Sequence, residues 1–290
     1  MTEVIAITGV TGAIGGKVAR RLAATGHPLR LIARQPSRAP ELPGSEVRFG
    51  DYGDEETMTA ALAGVKTMLL VSGREASDRL QQHRSAIDGA AAAGVEKVVY
   101  TSFLGAAPDA TFTLARQHWH TEQHIRASGM RWVFLRDSLY MDVFPDLPGT
   151  DGIIRGPAEN GRVGAVARDD VTDVAVAALV DQAHYGTTYH LTGPEALTLY
   201  EVADVLSRFT GREIKYHAET EDEAYESRAV HDAPAYEVEG WVSSYLAIAN
   251  GEMEAVTNDV ERVADHPPMS LASFLENLPE GDARHIEQGS

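Results

Sequence analysis

Four glycines fall within nine residues near the start of the chain, in the stretch TGVTGAIGG from Thr8 to Gly16. Glycine is required where φ is positive, or where a Cβ would block an approaching group. The residues before it, Val4 to Ile7, form a short apolar run with β-branched side chains. Those after it, Lys17 to Ala24, carry Val18, Ala19, Leu22 and Ala23 at helical spacing. This pattern predicts a strand, a glycine turn and a helix. A helix N-terminus just past such a turn presents unpaired N–H groups and the positive end of the helix dipole, which suits a phosphate. In that context the spacing GxxGxxG points to the pyrophosphate of a dinucleotide.

The end of the second predicted strand separates NAD from NADP. An acidic residue there would hydrogen-bond the ribose 2′-hydroxyl. The chain has Ala33-Arg34 instead, with Arg38 nearby and no acid before Glu41. A planar guanidinium fits a 2′-phosphate, so NADP(H) is the expected cofactor. Asp51, in the stretch GDYGD, stands where a carboxylate could accept from the adenine amino group. Ser72-Gly73 ends the fourth predicted strand, where small residues let the nicotinamide half pass.

Proton chemistry is harder to place. One acid–base arrangement would be Tyr-x-x-x-Lys, in which lysine lowers the phenol pKa. No tyrosine of this chain has a lysine four residues on. The predicted helix near the expected place, LARQHWHTEQHI, offers His118 and Glu122 at i,i+4 spacing instead, with His120 and His124 on a neighbouring face. His118 is a candidate acid with Glu122 orienting it. His120 and His124 lack a third ligand by spacing, so no metal site is expected and a solvated face is the simpler reading.

Elements must hold these groups in place. Strands are expected at 29–33, 47–49, 67–71, 97–102 and 131–136. Helices are expected at 55–62, capped by Asp54, and at about 78–93 and 114–127. The middle one is expected to turn Leu80, Ile87, Ala90 and Ala91 inward. Strands with little alternation, separated by helices, imply a parallel sheet buried on both faces. The fold class is therefore α/β, a doubly wound Rossmann sheet with a smaller mixed α/β C-terminal lobe. Residues 1–140 form the nucleotide domain, completed by parts of 163–192. Residues 193–290, with loops from 141–162, form the smaller lobe. There, AYEVEGWVSSYLAIANG carries Tyr236, Trp241, Tyr245 and Ile248, a stripe that is either core or the lining of an acceptor pocket.

Bulk properties narrow the classes. The chain has 290 residues, 43% of them hydrophobic, and no cysteine, which excludes disulfides and thiolate chemistry. No apolar run approaches the roughly 20 residues of a membrane span. The N-terminus enters a strand directly, without the marks of a signal peptide, so a cytoplasmic protein is expected. The net charge is -18, concentrated past Glu201, where 20 acidic side chains face six basic ones. Such a surface opposes nucleic-acid binding.

Taken together, AITGVTGAIGG, LIARQPSR, FGDYGD, LLVSG, VEKVVYTS and ASGMRWVFLRDSLYMDVF resemble the atypical short-chain dehydrogenase/reductases of the NmrA-like kind. The nearest likeness is to bacterial NADPH-dependent quinone reductases and triphenylmethane-dye reductases. It is strong in the first 140 residues and weak between Thr220 and Asn250. The resemblance implies that Gly9, Thr11, Gly12, Ala13, Ile14 and Gly15 hold the pyrophosphate, and that Arg34, with Arg38 beside it, holds the 2′-phosphate. It places Asp51 and Tyr52 at the adenine, and Ser72, Gly73, Thr101 and Ser102 along the ribose–nicotinamide path. Tyr140 would lie near the nicotinamide ring. A quinone or delocalised dye stabilises incoming electrons itself, so hydride transfer to it needs little proton assistance. The expected protein is an NADPH-dependent reductase of a small conjugated acceptor, a monomer or homodimer. The same motifs also suit a non-catalytic NADP(H) sensor, or a pathway-specific carbonyl reductase or isomerase.

Overall fold

A computed structural model describes residues 3–278. The first unit comprises residues 1–108, 117–136 and 168–189 within that range. It begins with β1 (Ile5–Ile7), α1 (Ala13–Ala24), β2 (Leu29–Ala33), β3 (Ser45–Phe49), α2 (Glu55–Leu62) and β4 (Thr67–Leu70). It continues with α3 (Arg79–Ala92), β5 (Lys97–Phe103) and all but the first turn of α4 (Thr113–Ala127) and the last residue of β6 (Arg131–Asp137). The chain then supplies β7 (Ile153–Gly156) and β8 (Arg162–Val163) to the second unit. It returns with α5 (Arg168–Val180) and β9 (Thr187–Leu191).

The seven-stranded sheet runs β3-β2-β1-β4-β5-β6-β9. Its β1–β2, β2–β3, β1–β4 and β4–β5 pairings are parallel. The strand order reverses between β1 and β4, and in an open α/β sheet the crevice beyond the strand ends at that point is where ligands bind. β1, β4 and β5 are buried throughout, as their apolar cores Ile5–Ile7, Met68–Leu70 and Val98–Tyr100 require. β3 is the edge strand and is largely exposed.

Local signals explain the boundaries. Asp54 caps α2, its Oδ1 accepting from the Thr57 amide at 3.1 Å. α1 starts at Ala13, inside the glycine stretch and four residues before the helix expected from apolar spacing. Gly15 and Gly16 are poor helix formers, so periodicity alone passes over them. Tertiary packing requires them, because a Cβ on Gly15 would lie 2.4 Å from the Thr8 carbonyl oxygen. On α3 the expected inward set is corrected. Leu80 and Ala91 are half-buried, whereas Arg79 and His83 are buried.

The second unit comprises residues 109–116, 137–167 and the described chain from 190 onward. Beyond β7 and β8 it contains β10 (Leu197–Thr198), α6 (Leu199–Thr210), β11 (Lys215–Ala218) and α7 (Glu221–Arg228). It ends with α8 (Ala235–Ala249), α9 (Asp259–Ala264) and α10 (Leu271–Glu276). β8 pairs antiparallel with β10, and β7 pairs parallel with β11. Capping boxes Thr198/Glu201 and Thr220/Glu223 start α6 and α7. The aromatic stripe of α8 divides. Ile248 is buried, Tyr236 is exposed, and Trp241 stands edge-on to His231. The Tyr245 ring lies where a Cβ on Gly156 would meet it at 2.2 Å, which makes that position a glycine.

Candidate functional site

A cavity of about 800 Å³ opens in the first unit beyond the ends of β1 and β4, at the point of strand reversal. The three glycines of the motif do different work there. Gly9 has φ +62, and a Cβ on it would sit 2.9 Å from Val71 Cβ, so both the turn and the packing demand glycine. Gly15 is buried against the backbone of the turn, where a Cβ would crowd the Thr8 and Gly9 oxygens. Gly12 is different. Its backbone is extended, with φ -99 and ψ 177, which any residue can adopt. A Cβ on it would meet only the Gly9 oxygen at 3.3 Å. A side chain at Gly12, which lines the cavity, would ask only that the Gly9 oxygen give by a few tenths of an ångström. Gly12 also precedes the first turn of α1, which has neither a side-chain cap nor an acidic residue. Beside the Gly12 edge of the cavity, the N–H groups of that first turn thus meet no side-chain cap, and with the positive dipole end they suit a phosphate.

Thr11, Arg34, Arg38, Asp51, Tyr52, Ser72 and Gly73 line the same cavity. Arg34 and Arg38 are exposed, and neither forms an ion pair with any described residue. Asp51 Oδ1 accepts from the Gly53 amide at 3.0 Å. The Tyr52 hydroxyl donates to the Val71 carbonyl at 2.7 Å and also contacts the Thr8 hydroxyl, tying the ends of β1 and β4 together. Burial raises its phenol above the ordinary range.

Not every residue expected at the nucleotide lines the cavity. Ala13, Ile14 and Gly15 are not among the cavity's lining residues, and Ile14 and Gly15 are buried in α1 packing. Thr101 and Ser102 are both 1% exposed and do not line the cavity. The Thr101 hydroxyl accepts from the Ser72 amide at 2.8 Å, and Ser102 donates to Glu122 at 2.6 Å. Gln35, Arg74, Glu75, Ala76 and Gln82 line the cavity without having been expected, because they come from loops and a helix turn with no motif of their own.

The His118–Glu122 pair does not form. His118 is 5% exposed, and both its ring nitrogens are engaged. Arg79 Nη2 can only donate, so His118 Nε2 accepts it at 3.0 Å, and Nδ1 donates to the Tyr100 hydroxyl at 2.9 Å. Burial, then the Arg79 charge, hold His118 well below the ordinary histidine range. A neutral imidazole sealed in this way is no proton donor, so His118 is withdrawn as the acid. Glu122, fully buried, takes a bidentate bond from Arg136, with Nε to Oε1 at 2.8 Å and Nη2 to Oε2 at 2.6 Å. Glu122 therefore locks α4 to β6 and does not orient His118. Arg136 was not anticipated, since an arginine inside a buried strand has no spacing signal. His120 is exposed, and His124 pairs with Asp88 at 2.7 Å. Among the described residues no group of three or more His, Cys, Asp or Glu side chains could hold a metal. Tyr140 belongs to the second unit, where its hydroxyl donates to Asp137 Oδ2 at 2.8 Å.

Residues 9–182 match the model of a family described as NAD(P)H-binding. Quinone oxidoreductase 2 of Escherichia coli is 31% identical over 281 residues, spanning 94% of this chain and 98% of that protein. NAD(P)H azoreductase of Xenophilus azovorans is 30% identical over 275 residues, spanning 93% of this chain and 96% of that protein. Solved structures are similar as well. An NADPH-dependent quinone oxidoreductase of Escherichia coli, complexed with NADPH, gives a TM-score of 0.86 at 30% identity, covering 94% of this chain and 98% of that one. Triphenylmethane reductase of Citrobacter sp., complexed with NADP(H), gives 0.84 at 29% identity, covering 94% of this chain and 100% of that one. The glycine turn at the strand reversal, the acid-free arginine pair beside it and these likenesses agree: the chain belongs to the NAD(P)H-binding family and groups within it with the NmrA-like quinone and dye reductases.

Proposed function

We propose that the protein is an NADPH-dependent reductase of quinones and similarly conjugated small molecules. The observation that carries this reading is Gly12. Its backbone could bear any side chain, yet it is bare toward a cavity at the strand reversal, at the start of an uncapped helix. Arg34 and Arg38, which form no ion pair with any described residue, supply the preference for a 2′-phosphate. NADPH, when bound, supplies a hydride to the acceptor.

The protein's own residues bind and orient. The first turn of α1 receives the pyrophosphate, Arg34 and Arg38 hold the 2′-phosphate, and Asp51 with Tyr52 flanks the adenine. Ser72 and Gly73 leave a low wall for the rest of the nucleotide. Tyr140 contributes its ring as a packing surface. Its hydroxyl proton is directed to Asp137, which favours positioning over proton donation. Water supplies the proton to an acceptor that already stabilises the added electrons. No described helix is long and apolar enough to cross a membrane. On this reading the protein acts in the cytoplasm as a monomer or homodimer. The net charge of -18 disfavours a nucleic-acid partner.

The test is oxidation of NADPH by the purified protein with a panel of quinones and azo or triphenylmethane dyes. Turnover with at least one conjugated acceptor, faster with NADPH than with NADH, is expected. Tight NADPH binding without turnover on any acceptor would overturn the catalytic reading and favour a nucleotide sensor.

A further inference from the structure

One residue of the cavity wall is gripped by two buried side chains from behind. Gly73 donates its amide to His83 Nε2 at 2.8 Å, and its carbonyl accepts from Arg79 Nε at 2.8 Å. Arg79 and His83 stand one turn apart on α3, so they share a face. Arg79 is 2% exposed and His83 is fully buried. A Cβ on Gly73 would sit 3.2 Å from His83 Nε2, tight enough to push the ring away. Glycine at this position therefore suits the grip.

The two side chains are themselves held. Arg79 Nη1 donates to Gln117 Oε1 at 3.1 Å, and Nη2 donates to His118 Nε2. The Gly73 amide can only donate, so His83 Nε2 is an acceptor and its Nδ1 carries the proton, which goes to the Thr121 hydroxyl at 2.9 Å. Thr121 in turn donates to the Gln117 carbonyl at 2.8 Å. α3 and α4 thus meet through a guanidinium, two imidazoles, an amide and a hydroxyl, where apolar side chains would be cheaper to bury. Such a network is satisfied only in one geometry, and it rigidifies whatever it holds. What it holds is the backbone on both sides of Gly73, which lines the cavity.

We propose that Arg79 and His83 are positioning residues for the nicotinamide nucleotide, fixing the Gly73 backbone in the shape that accepts it. This rests on the reading of the cavity as the NADPH site. Neither residue touches the nucleotide on this account. They act through Gly73.

Two polar variants of His83 separate positioning from mere stability. In His83→Gln the terminal amide reaches the place of Nε2 and its oxygen can accept from Gly73. In His83→Asn the shorter amide reaches only the place of Nδ1, keeping Thr121 and losing Gly73. NADPH affinity is measured by fluorescence titration of the full chain, with thermal unfolding alongside. The expected result is a Kd within about threefold of wild type for His83→Gln and about tenfold weaker or more for His83→Asn, the scale of one lost hydrogen bond. Similar falls in Tm for both variants would leave that contrast as the signature of positioning. Equal Kd values for the two variants would overturn the inference. If His83→Asn does not accumulate, Arg79→Lys, which removes the Nε bond to the Gly73 carbonyl, is held to the same tenfold criterion. A wild-type protein that binds no NADPH would overturn the cavity reading itself, and this inference with it. Wild-type binding with indifferent variants overturns the inference alone.

Discussion

Replacing Gly12 by valine is expected to abolish NADPH binding while the protein still folds. The backbone there is extended, with φ -99 and ψ 177, a region that β-branched residues favour. The Cβ would meet one neighbour, the Gly9 oxygen, at 3.3 Å, which a few tenths of an ångström of movement relieves. Exchange of glycine for a residue compatible with its φ and ψ also reduces unfolded-chain entropy, by about 0.4–1 kcal/mol. These effects roughly cancel, so Tm should move by no more than a few degrees. Gly12 lines the cavity beside the first turn of α1, however, so two γ-carbons there are expected to take up its space. A pyrophosphate displaced from that turn would lose about two charge-assisted hydrogen bonds, worth roughly 1.5–3 kcal/mol each. That corresponds to a 10²–10⁴-fold weaker Kd on the order of 3–6 kcal/mol. Gly15→Ala is the internal control. Its Cβ would lie 2.4 Å from one backbone oxygen and 2.5 Å from another, so the turn must shift. Overpacking of this kind costs about 1–3 kcal/mol, and Tm should drop by several degrees. The assay is thermal unfolding with and without NADPH, with fluorescence titration of the nucleotide. At 100 times Kd the wild type gains about 2.7 kcal/mol from ligand, whereas Gly12→Val should gain none. A folded Gly12→Val that keeps its NADPH affinity within tenfold would refute the assignment of this turn to the pyrophosphate. A Gly12→Val that fails to fold would refute the argument that the position is structurally free.

Three further outcomes are expected. Arg34→Ala should weaken NADPH by roughly 1.5–3 kcal/mol, the worth of a charge-assisted bond, and leave NADH nearly unchanged; parallel titrations check this, and equal losses would contradict a 2′-phosphate site. Tyr140→Phe should retain most of kcat with a quinone, because its hydroxyl is turned to Asp137; a general acid would instead contribute roughly 10²–10⁴-fold, so a loss above a hundredfold would make it the proton donor. His83 and His118 are held well below the ordinary histidine range by burial, then by the Arg79 charge, among Tyr52, Tyr100 and Arg136. Below a pH of about 6.5 the unfolded chain takes up protons that the folded state refuses, so stability is full above that pH and falls as the pH drops through it. Thermal unfolding from pH 8 to 5 should show this fall, and His118→Gln should make it shallower; an unchanged slope would contradict the burial of a neutral imidazole.

The alternation of strands and helices was readable because each element carries its own local signal. Apolar runs mark β1, β4 and β5, Asp54 caps α2, and the spacing in Lys17–Ala24 marks most of α1. The glycine turn was readable for the same reason: positive φ and close approach are local demands that only glycine meets. Arg34 follows directly on β2 and Asp51 stands two residues past β3, so the strand ends bring both to the cavity wall. What a side chain does once two distant segments meet is not a local property. The spacing of His118 and Glu122 put them on one helix, but only the folded sheet gave Arg136 to Glu122 and Arg79 to His118. The periodicity of α3 gave no reason to bury Arg79 and His83, since polar side chains are expected outside. Partners on α4 and the backbone of Gly73 make their burial tolerable, and those partners lie 6 to 39 residues away in the chain. Gly12 joins both levels. The sequence showed that a glycine stands there, and only the packing showed that a Cβ at that position would press on one backbone oxygen alone.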